Sequence, residues 1–568
     1  MSFKRLSLLL LATSLASGCS SLLPNSDGQA AAASPMDSEE VMVATGDEDF
    51  KASVTAGSGN TRSTDAPLDD AISPELQARA KDAREKLEKP ASQQQANELN
   101  DDLWHRLRSG FAMDHSVQND RVQAQLDWYV RHPRYISRVV DRGSRYLYHI
   151  LEQAEARGLP TELALLPVVE SAFDPFAYSH GRAAGLWQFI PSTGKYFGLT
   201  QSWWHDDRRD VLEATDAAFT YLERLSNRFD GDYTLALAAY NAGGGTVSSA
   251  MRRNRNSGKP TDFWSLSLPR ETSHYVPKLI ALAKIFDNPK AYNIELPPLK
   301  NKPYFEVVKT GSQLDLAQAA QLAEVDIDEI YLLNPSYNRW ATNPDGPHRL
   351  LVPKQNAETF RKALADFPKE QRVSWQDYTV QPGDNLGAIS QKFSTTPSVI
   401  KQVNKLDSNL IRIGQQLLIP SATKGTDAYA LSQSQRLQRT QDRKRDGTKV
   451  RYTVRSGDTF WDIARDHDVS VRQVAGWNGM APGDPLIPGK ELVIWSKSTS
   501  PTVANSARDR AMVRKVGYQV RSGDSLSAIA SRFSVNVRDI ASWNDLNTDR
   551  YLQPGQSLVL YVDVRNSP

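Results

Sequence analysis

Between residues 127 and 156, apolar positions recur at helical spacing. Val139, Tyr146, Leu147, Ile150, Leu151 and Ala154 share one face. Helical patterning opens at Leu103-Trp104-His105-Arg106-Leu107 and returns at 209–229, 232–240 and 273–286. Gly158-Leu159-Pro160 ends the first long pattern, and Thr161 is placed to cap the next helix. Almost no alternating run interrupts this region, so 100–295 reads as one mainly helical domain. Beyond Pro297-Pro298 the pattern changes to short alternating runs separated by short helical ones.

That second region repeats itself. Tyr378-Thr-Val-Gln-Pro-Gly-Asp384 aligns with Tyr452-Thr-Val-Arg-Ser-Gly-Asp458 and Tyr518-Gln-Val-Arg-Ser-Gly-Asp524. In each copy an Asn follows the Gly by 21 positions, at Asn404, Asn478 and Asn544. Each copy closes on a Gly and an apolar run. The unit predicts strand, turn, two short helices and a closing strand, at 377–421, 451–496 and 517–563. A fourth, degenerate copy is expected at 303–355. There Leu316 to Asn334 keeps the spacing of Leu386 to Asn404, but Gly311 comes two residues early and lacks the following Asp. Residues 422–450 and 497–516 read as linkers, the first a solvated, extended, basic spacer. The repeats resemble LysM domains, which implies βααβ folds that bind polymers containing N-acetylglucosamine.

Composition changes the picture in two places. A chain of 568 residues exceeds what one core organises, and a net charge of +2 gives no whole-protein attraction to nucleic acid. The single cysteine, Cys19, excludes an intrachain disulfide. It follows Lys4 and Arg5, the apolar run Leu6–Ala16 and the small residues Ala16-Ser17-Gly18. This segment resembles a lipoprotein signal, with a mild departure at Ala16. The resemblance implies removal of residues 1–18 and acylation of Cys19. Two or three acyl chains anchor stably, whereas one does not. Residues 19–99, rich in Ser, Ala, Asp, Gly and Gln, read as a disordered tether. Ser20, where Asp is the usual inner-membrane retention signal, points to the periplasmic face of the outer membrane.

The densest candidate chemistry lies at 163–199. Glu170 ends the apolar run Leu163–Val169. A carboxyl set against a core holds its proton toward neutral pH and can act as a general acid, whereas a helix-end Glu turned to solvent cannot. Around it stand Ser171, Ser179 and Gly185-Leu186-Trp187-Gln188. Farther on come Tyr240-Asn241-Ala242-Gly243 and Pro269-Arg-Glu271-Thr272-Ser-His-Tyr275-Val-Pro-Lys278. No Cys/His cluster or phosphate loop is present, so neither metal nor cofactor is expected.

Together these motifs resemble the family-1 lytic transglycosylases, which share the goose-type lysozyme fold. The resemblance covers about 100–290. It implies a multidomain protein with a mainly α, lysozyme-like catalytic domain followed by small α+β LysM modules, acting on peptidoglycan glycan strands. Glu170 falls on the family's catalytic acid. Ser171 stands beside it, Gln188 falls in the family's substrate-groove motif, Tyr240-Asn241 on its Tyr-Asn motif and Tyr275 on its late Tyr near the acid. With Ser179 these are the candidate substrate-binding residues, Ser179, Gln188 and Asn241 to orient the saccharide and Tyr240 and Tyr275 to hydrogen-bond near the acid. Ordinary glycosidases need two carboxylates, and the family pattern offers one. Asp206, Asp207, Asp210, Glu213 and Asp216 read as helix caps or surface charges, and Glu271 as structural. The implied chemistry is cleavage between MurNAc and GlcNAc by the MurNAc C6 hydroxyl, leaving a 1,6-anhydro end. A hydrolytic muramidase on the same fold differs only in the attacking group, and a non-catalytic wall-binding scaffold would not need the Glu170 motif. Gly185 and Gly243 are expected to admit close backbone approach. Trp187 is equally suited to the core and to a sugar.

Overall fold

The computed structural model describes residue 78, residues 101–393 and 395–497, and residues 513–563 other than 534, 536, 545 and 547–551. The signal, Cys19, nearly all of the tether and 498–512 lie outside the described residues.

The helical region comprises α1 (Leu103–Ser109), α2 (Asp120–Arg131), α3 (Pro133–Gly143), α4 (Leu147–Ala156), α5 (Leu166–Ser171), α6 (Pro191–Tyr196), α7 (Val211–Arg228), α8 (Tyr233–Ala242), α9 (Gly244–Asn256) and α10 (Arg270–Asp287). Local chemistry sets the starts. The side chains of Asn119, Asp210 and Asp232 accept hydrogen bonds from the first free amides of α2, α7 and α8. The periodic stretch 127–156 spans three helices because Pro133 starts a new one and 144–146 forms a turn. Thr161 does not cap. It opens a 3-10 turn, Thr161–Leu165, and its buried hydroxyl donates to the Leu107 carbonyl at 2.6 Å. The five residues Leu235–Ala239 of α8 and the eight residues Val276–Ala283 of α10 are all buried, and α10 packs across both α2 and α8. The domain is therefore organised around α8 and α10, the two helices that carry the later motifs.

The four repeats share one frame, a two-stranded antiparallel sheet with two helices. The degenerate copy has β1 (Phe305–Lys309), α11 (Leu316–Ala323), α12 (Ile327–Leu333) and β2 (Arg349–Pro353). It is completed by α13 (Ala357–Asp366), whose Phe360 and Leu364 enter its core. The three regular copies follow. The first has β3 (Ser374–Thr379), α14 (Leu386–Lys392), α15 (Pro397–Val403) and β4 (Gln416–Ser421). After the helix α16 (Gln433–Asp442), the second has β5 (Thr448–Thr453), α17 (Phe460–Asp466), α18 (Val471–Trp477) and β6 (Glu491–Ser496). The third has β7 (Val513–Gln519), α19 (Leu526–Arg532), α20 (Val537–Asn544) and β8 (Ser557–Asp563).

The recurring Asn explains the fixed spacing. Asn478 donates to the Val474 and Val493 carbonyls and accepts from the Val493 amide, at 2.8, 2.8 and 2.7 Å. It thereby ties the end of the second helix to the closing strand. Asn404 and Asn544 make the same three bonds, and so does Asn334 in the degenerate copy. The Tyr and Asp of each regular copy also pair: Tyr452 donates to Asp458 at 2.7 Å, as Tyr378 does to Asp384 and Tyr518 to Asp524.

Residues 422–450 are not an extended spacer. They hold a 3-10 turn, Thr426–Tyr429, and α16. Tyr429 is buried and donates to the Asp315 carboxylate at 2.8 Å, and Leu431 is buried beside it in the core of the degenerate copy. Tyr429 and Leu431 are the buried apolar anchors of this segment, and two are too few to make a periodic pattern. The degenerate copy is itself fastened to the helical domain. Tyr146 donates to the Leu332 carbonyl at 2.8 Å, and the ion pairs Arg145–Glu329 and Arg349–Asp210 stand at 2.8 and 3.0 Å.

Candidate active site

Helix α5 is six residues long and has Pro167 in its first turn. Leu166, Pro167 and Val168 are buried, which commits the helix to the core, while Glu170 in the last turn is only partly buried. The helix ends because Ala172 and Phe173 both take the left-handed conformation, at φ 51° and 55°. Phe173 then turns into the core. Arg182 and Gln188 share this rare backbone region, at φ 70° and 50°. Four non-glycine residues in this state within one short stretch store strain beside the carboxyl.

Burial pushes the Glu170 carboxyl up to about 8. The Tyr275 hydroxyl, which donates to Glu170 Oε1, draws it down, Glu271 raises it and Lys278 lowers it. At neutral pH the group is therefore mostly protonated. Tyr275 is buried on α10, one turn after Glu271 and one turn before Lys278, so the three line one face of that helix. Burial draws the Lys278 ammonium down to about 8, against the pull of Glu271 and Glu170. Burial also raises Glu271, whose carboxylate accepts from Asn241 Nδ2 at 3.3 Å.

The other motif residues form a hydrogen-bonded wall beside this carboxyl. Ser171 is buried and its hydroxyl bridges to the Pro167 and Leu186 carbonyls at 3.1 and 3.0 Å. It holds the end of α5 to the 185–188 segment. Gln188 Nε2 donates to Gly185 O at 2.8 Å, and Tyr240 donates to Trp187 O at 2.9 Å. Ser179 Oγ accepts from the Ala183 amide at 3.0 Å and closes a turn over 179–183. Asn241 Oδ1 accepts from Thr272 at 2.7 Å. Trp187 is wholly buried, with Nε1 on Thr215 Oγ1 at 3.0 Å, which decides for the core. A Cβ on Gly185 would collide with the Arg208 carbonyl, so close approach holds there. Gly243 meets nothing, and its φ of 84° is what the junction of α8 and α9 requires.

Sequence reasoning gave no role to Lys278 and read Glu271 as structural. Their spacing around Tyr275 on one helical face was the available signal. Asp210 caps α7 and Asp206 caps the 3-10 turn Asp207–Arg209 while pairing with Arg208 at 2.7 Å, and Asp216 pairs with Arg157. Among the described residues, no group of three or more His, Cys, Asp or Glu is placed to hold a metal ion.

The Transglycosylase SLT domain family matches residues 148–263. The Lytic transglycosylase MltD, LysM-like domain matches 304–369, and LysM domains match 378–420, 452–495 and 518–560. A helical SLT domain with a proton-bearing carboxyl, joined to LysM modules, defines a lytic transglycosylase of peptidoglycan. The membrane-bound lytic murein transglycosylase D of Escherichia coli (strain K12) is 35% identical over 467 residues, 82% of this chain and 87% of its own length. The chain belongs to the membrane-bound lytic murein transglycosylase D family. It is also 37% identical over 186 residues to a putative tributyltin chloride resistance protein of Alteromonas sp. (strain M-1), covering 33% of this chain and 88% of that one. An autolysin of Enterococcus faecalis is 29% identical over 187 residues, 32% of this chain and 24% of its own.

Proposed function

We propose that Glu170 alone performs both proton transfers of the lytic reaction. As a neutral acid it protonates the glycosidic oxygen between MurNAc and GlcNAc, and the C1–O bond breaks. As a carboxylate it then takes the proton of the C6 hydroxyl of the same MurNAc while O6 bonds to C1. Glu170 ends protonated again, and no water is consumed. The observation that carries this reading is the partly buried carboxyl, raised to about 8 and held in place by Tyr275. A group poised near the working pH serves as both acid and base. Glu271 is engaged by Asn241 and lies in the field of Lys278, which sets it apart from a free second carboxylate. Stabilisation of the oxocarbenium-like state falls to the substrate's own 2-acetamido group. Ser179 retains its hydroxyl hydrogen and Gln188 its Oε1 to orient the sugar, while Tyr240 and Asn241 fix the wall behind them.

The LysM modules hold the peptidoglycan on which this site acts. We further propose that Cys19 carries the lipid anchor and places the enzyme on the periplasmic face of the outer membrane, with 19–99 as the tether. Among the described residues no helix is long and apolar enough to cross a membrane. Cys19→Ala should release the protein from membranes without changing its intrinsic activity, and unchanged partitioning would point to another anchor. The reaction itself is tested by digesting purified sacculi in ¹⁸O-labelled water. Products without label, lighter than hydrolytic muropeptides by one water, support the reading. Labelled reducing ends would make the enzyme a muramidase.

A further inference from the structure

The second LysM module meets the catalytic domain at the 178–188 turn, part of the wall beside Glu170 and here read as the wall of the substrate groove. Arg182 Nε pairs with Asp484 Oδ1 at 2.7 Å, and the Tyr178 hydroxyl donates to Asp484 Oδ2 at 3.3 Å. Asp484 stands on the loop between α18 and β6, and its side chain is only 13% exposed. The same carboxylate accepts from the Ala481 amide at 2.8 Å, so its direction is fixed from within the module. A second contact reaches the turn through α16. The Arg436 guanidinium lies 4.0 Å over the Phe176 ring. From there α16 leads on to the module, where Gln441 Nε2 donates to Asn478 Oδ1 at 2.9 Å.

This turn is joined directly to the reacting centre. Tyr178 bridges to Ala184, Ala184 bridges to Phe189, and the Gly185 amide donates to Ala177 O at 3.1 Å. Leu186 O receives the hydroxyl of Ser171, the residue next to Glu170. Arg182 keeps its left-handed backbone where its carbonyl accepts from Arg208 Nη1 at 2.7 Å and its side chain meets Asp484. A strained residue persists only when its surroundings over-determine it.

We infer that the second LysM module is a docked brace of the groove wall, and that Asp484 is a positioning residue for glycan binding through Arg182 and Tyr178. The module thus has a role in the catalytic unit beyond holding the wall polymer. The inference rests on the reading of 178–188 as groove wall. It does not touch the proton transfers of Glu170, so the two fail separately.

The test is a double-mutant cycle in the full-length protein, with steady-state kinetics on soluble glycan strands. Asp484→Asn keeps an acceptor for the Ala481 amide and removes the ion pair. Arg182→Ala removes it from the other side without touching the module. Each single variant should raise KM roughly threefold to fivefold, the range open to a half-exposed ion pair, with kcat unchanged in Asp484→Asn. The double variant should be no worse than the worse single one, and Arg182→Asp with Asp484→Arg should restore part of the loss. Additive effects in the double variant, or an unchanged KM in Asp484→Asn, would overturn the inference.

Discussion

The candidate active site and the repeats both carry dense motifs, and the structure uses them in different ways. In the repeats the fixed residues serve the frame. The Asn of each copy ties helix to strand, and the Tyr–Asp pair pins the first turn of the three regular copies. In the candidate active site the fixed residues divide. Ser171, Trp187 and Gly185 build the wall, while Tyr275, Glu271 and Lys278 set the charge state of one carboxyl. The degenerate copy shows what the frame alone requires. It keeps the Asn clamp, lacks the Asp of the Tyr–Asp pair, and is fastened to the helical domain. A recurring residue therefore marks a shared fold before it marks a shared ligand.

The sharpest separation of the two regions is Glu170→Gln. Turnover should fall by about 10²–10⁴-fold, the contribution of a positioned acid and base, while binding to sacculi stays unchanged. Activity assays beside a sacculus pull-down check this, and joint loss of both would break the comparison. Next come the clamps. Asn478→Ala leaves buried backbone groups unpaired and should cost the second module about 2–4 kcal/mol. Asn334→Ala should cost as much but also lower the stability of the helical domain fastened to it. Denaturation followed separately for each domain distinguishes the two.

The same carboxyl gives a pH effect on stability. The folded Glu170 holds its proton more tightly than the unfolded one, so its contribution is full below the ordinary value of 4.5 and is lost as pH rises through about 8. Glu170→Gln should therefore gain stability over the natural protein as pH rises from 4.5 through about 8, and nothing at pH 4. Smallest is Tyr452→Phe, which removes the part-buried hydrogen bond to Asp458 and should cost the second module about 1 kcal/mol. Thermal melts at two pH values measure both.

Much of this was legible in the residues. The run Leu163–Val169 marked Glu170 as a carboxyl against a core, and the 21-residue spacing from Gly to Asn marked the repeats before their clamp was seen. What was hidden depends on backbone direction or on isolated contacts. The left-handed Ala172 and Phe173 end α5 just past Ser171, whose hydroxyl is taken up by two backbone carbonyls, and no side-chain pattern announces such a reversal. Tyr429 and Leu431 are two buried anchors in a polar, basic segment. Asp484 looks like any loop acid until the distant Arg182 is placed beside it. Lys278 was visible by its spacing from Glu271 and Tyr275 within the helical pattern 273–286, but nothing in that pattern says that burial would draw its ammonium down beside Glu170.

The central claim is that burial makes Glu170 a proton-bearing acid at working pH. The direct measurement is titration of its side-chain carboxyl by ¹³C NMR in protein labelled at glutamate, with Glu170→Gln identifying the signal. A midpoint near 8, matched by a fall in kcat/KM as pH rises through the same value, is the expected result. A midpoint near the ordinary 4.5, with activity flat through pH 8, would contradict the account.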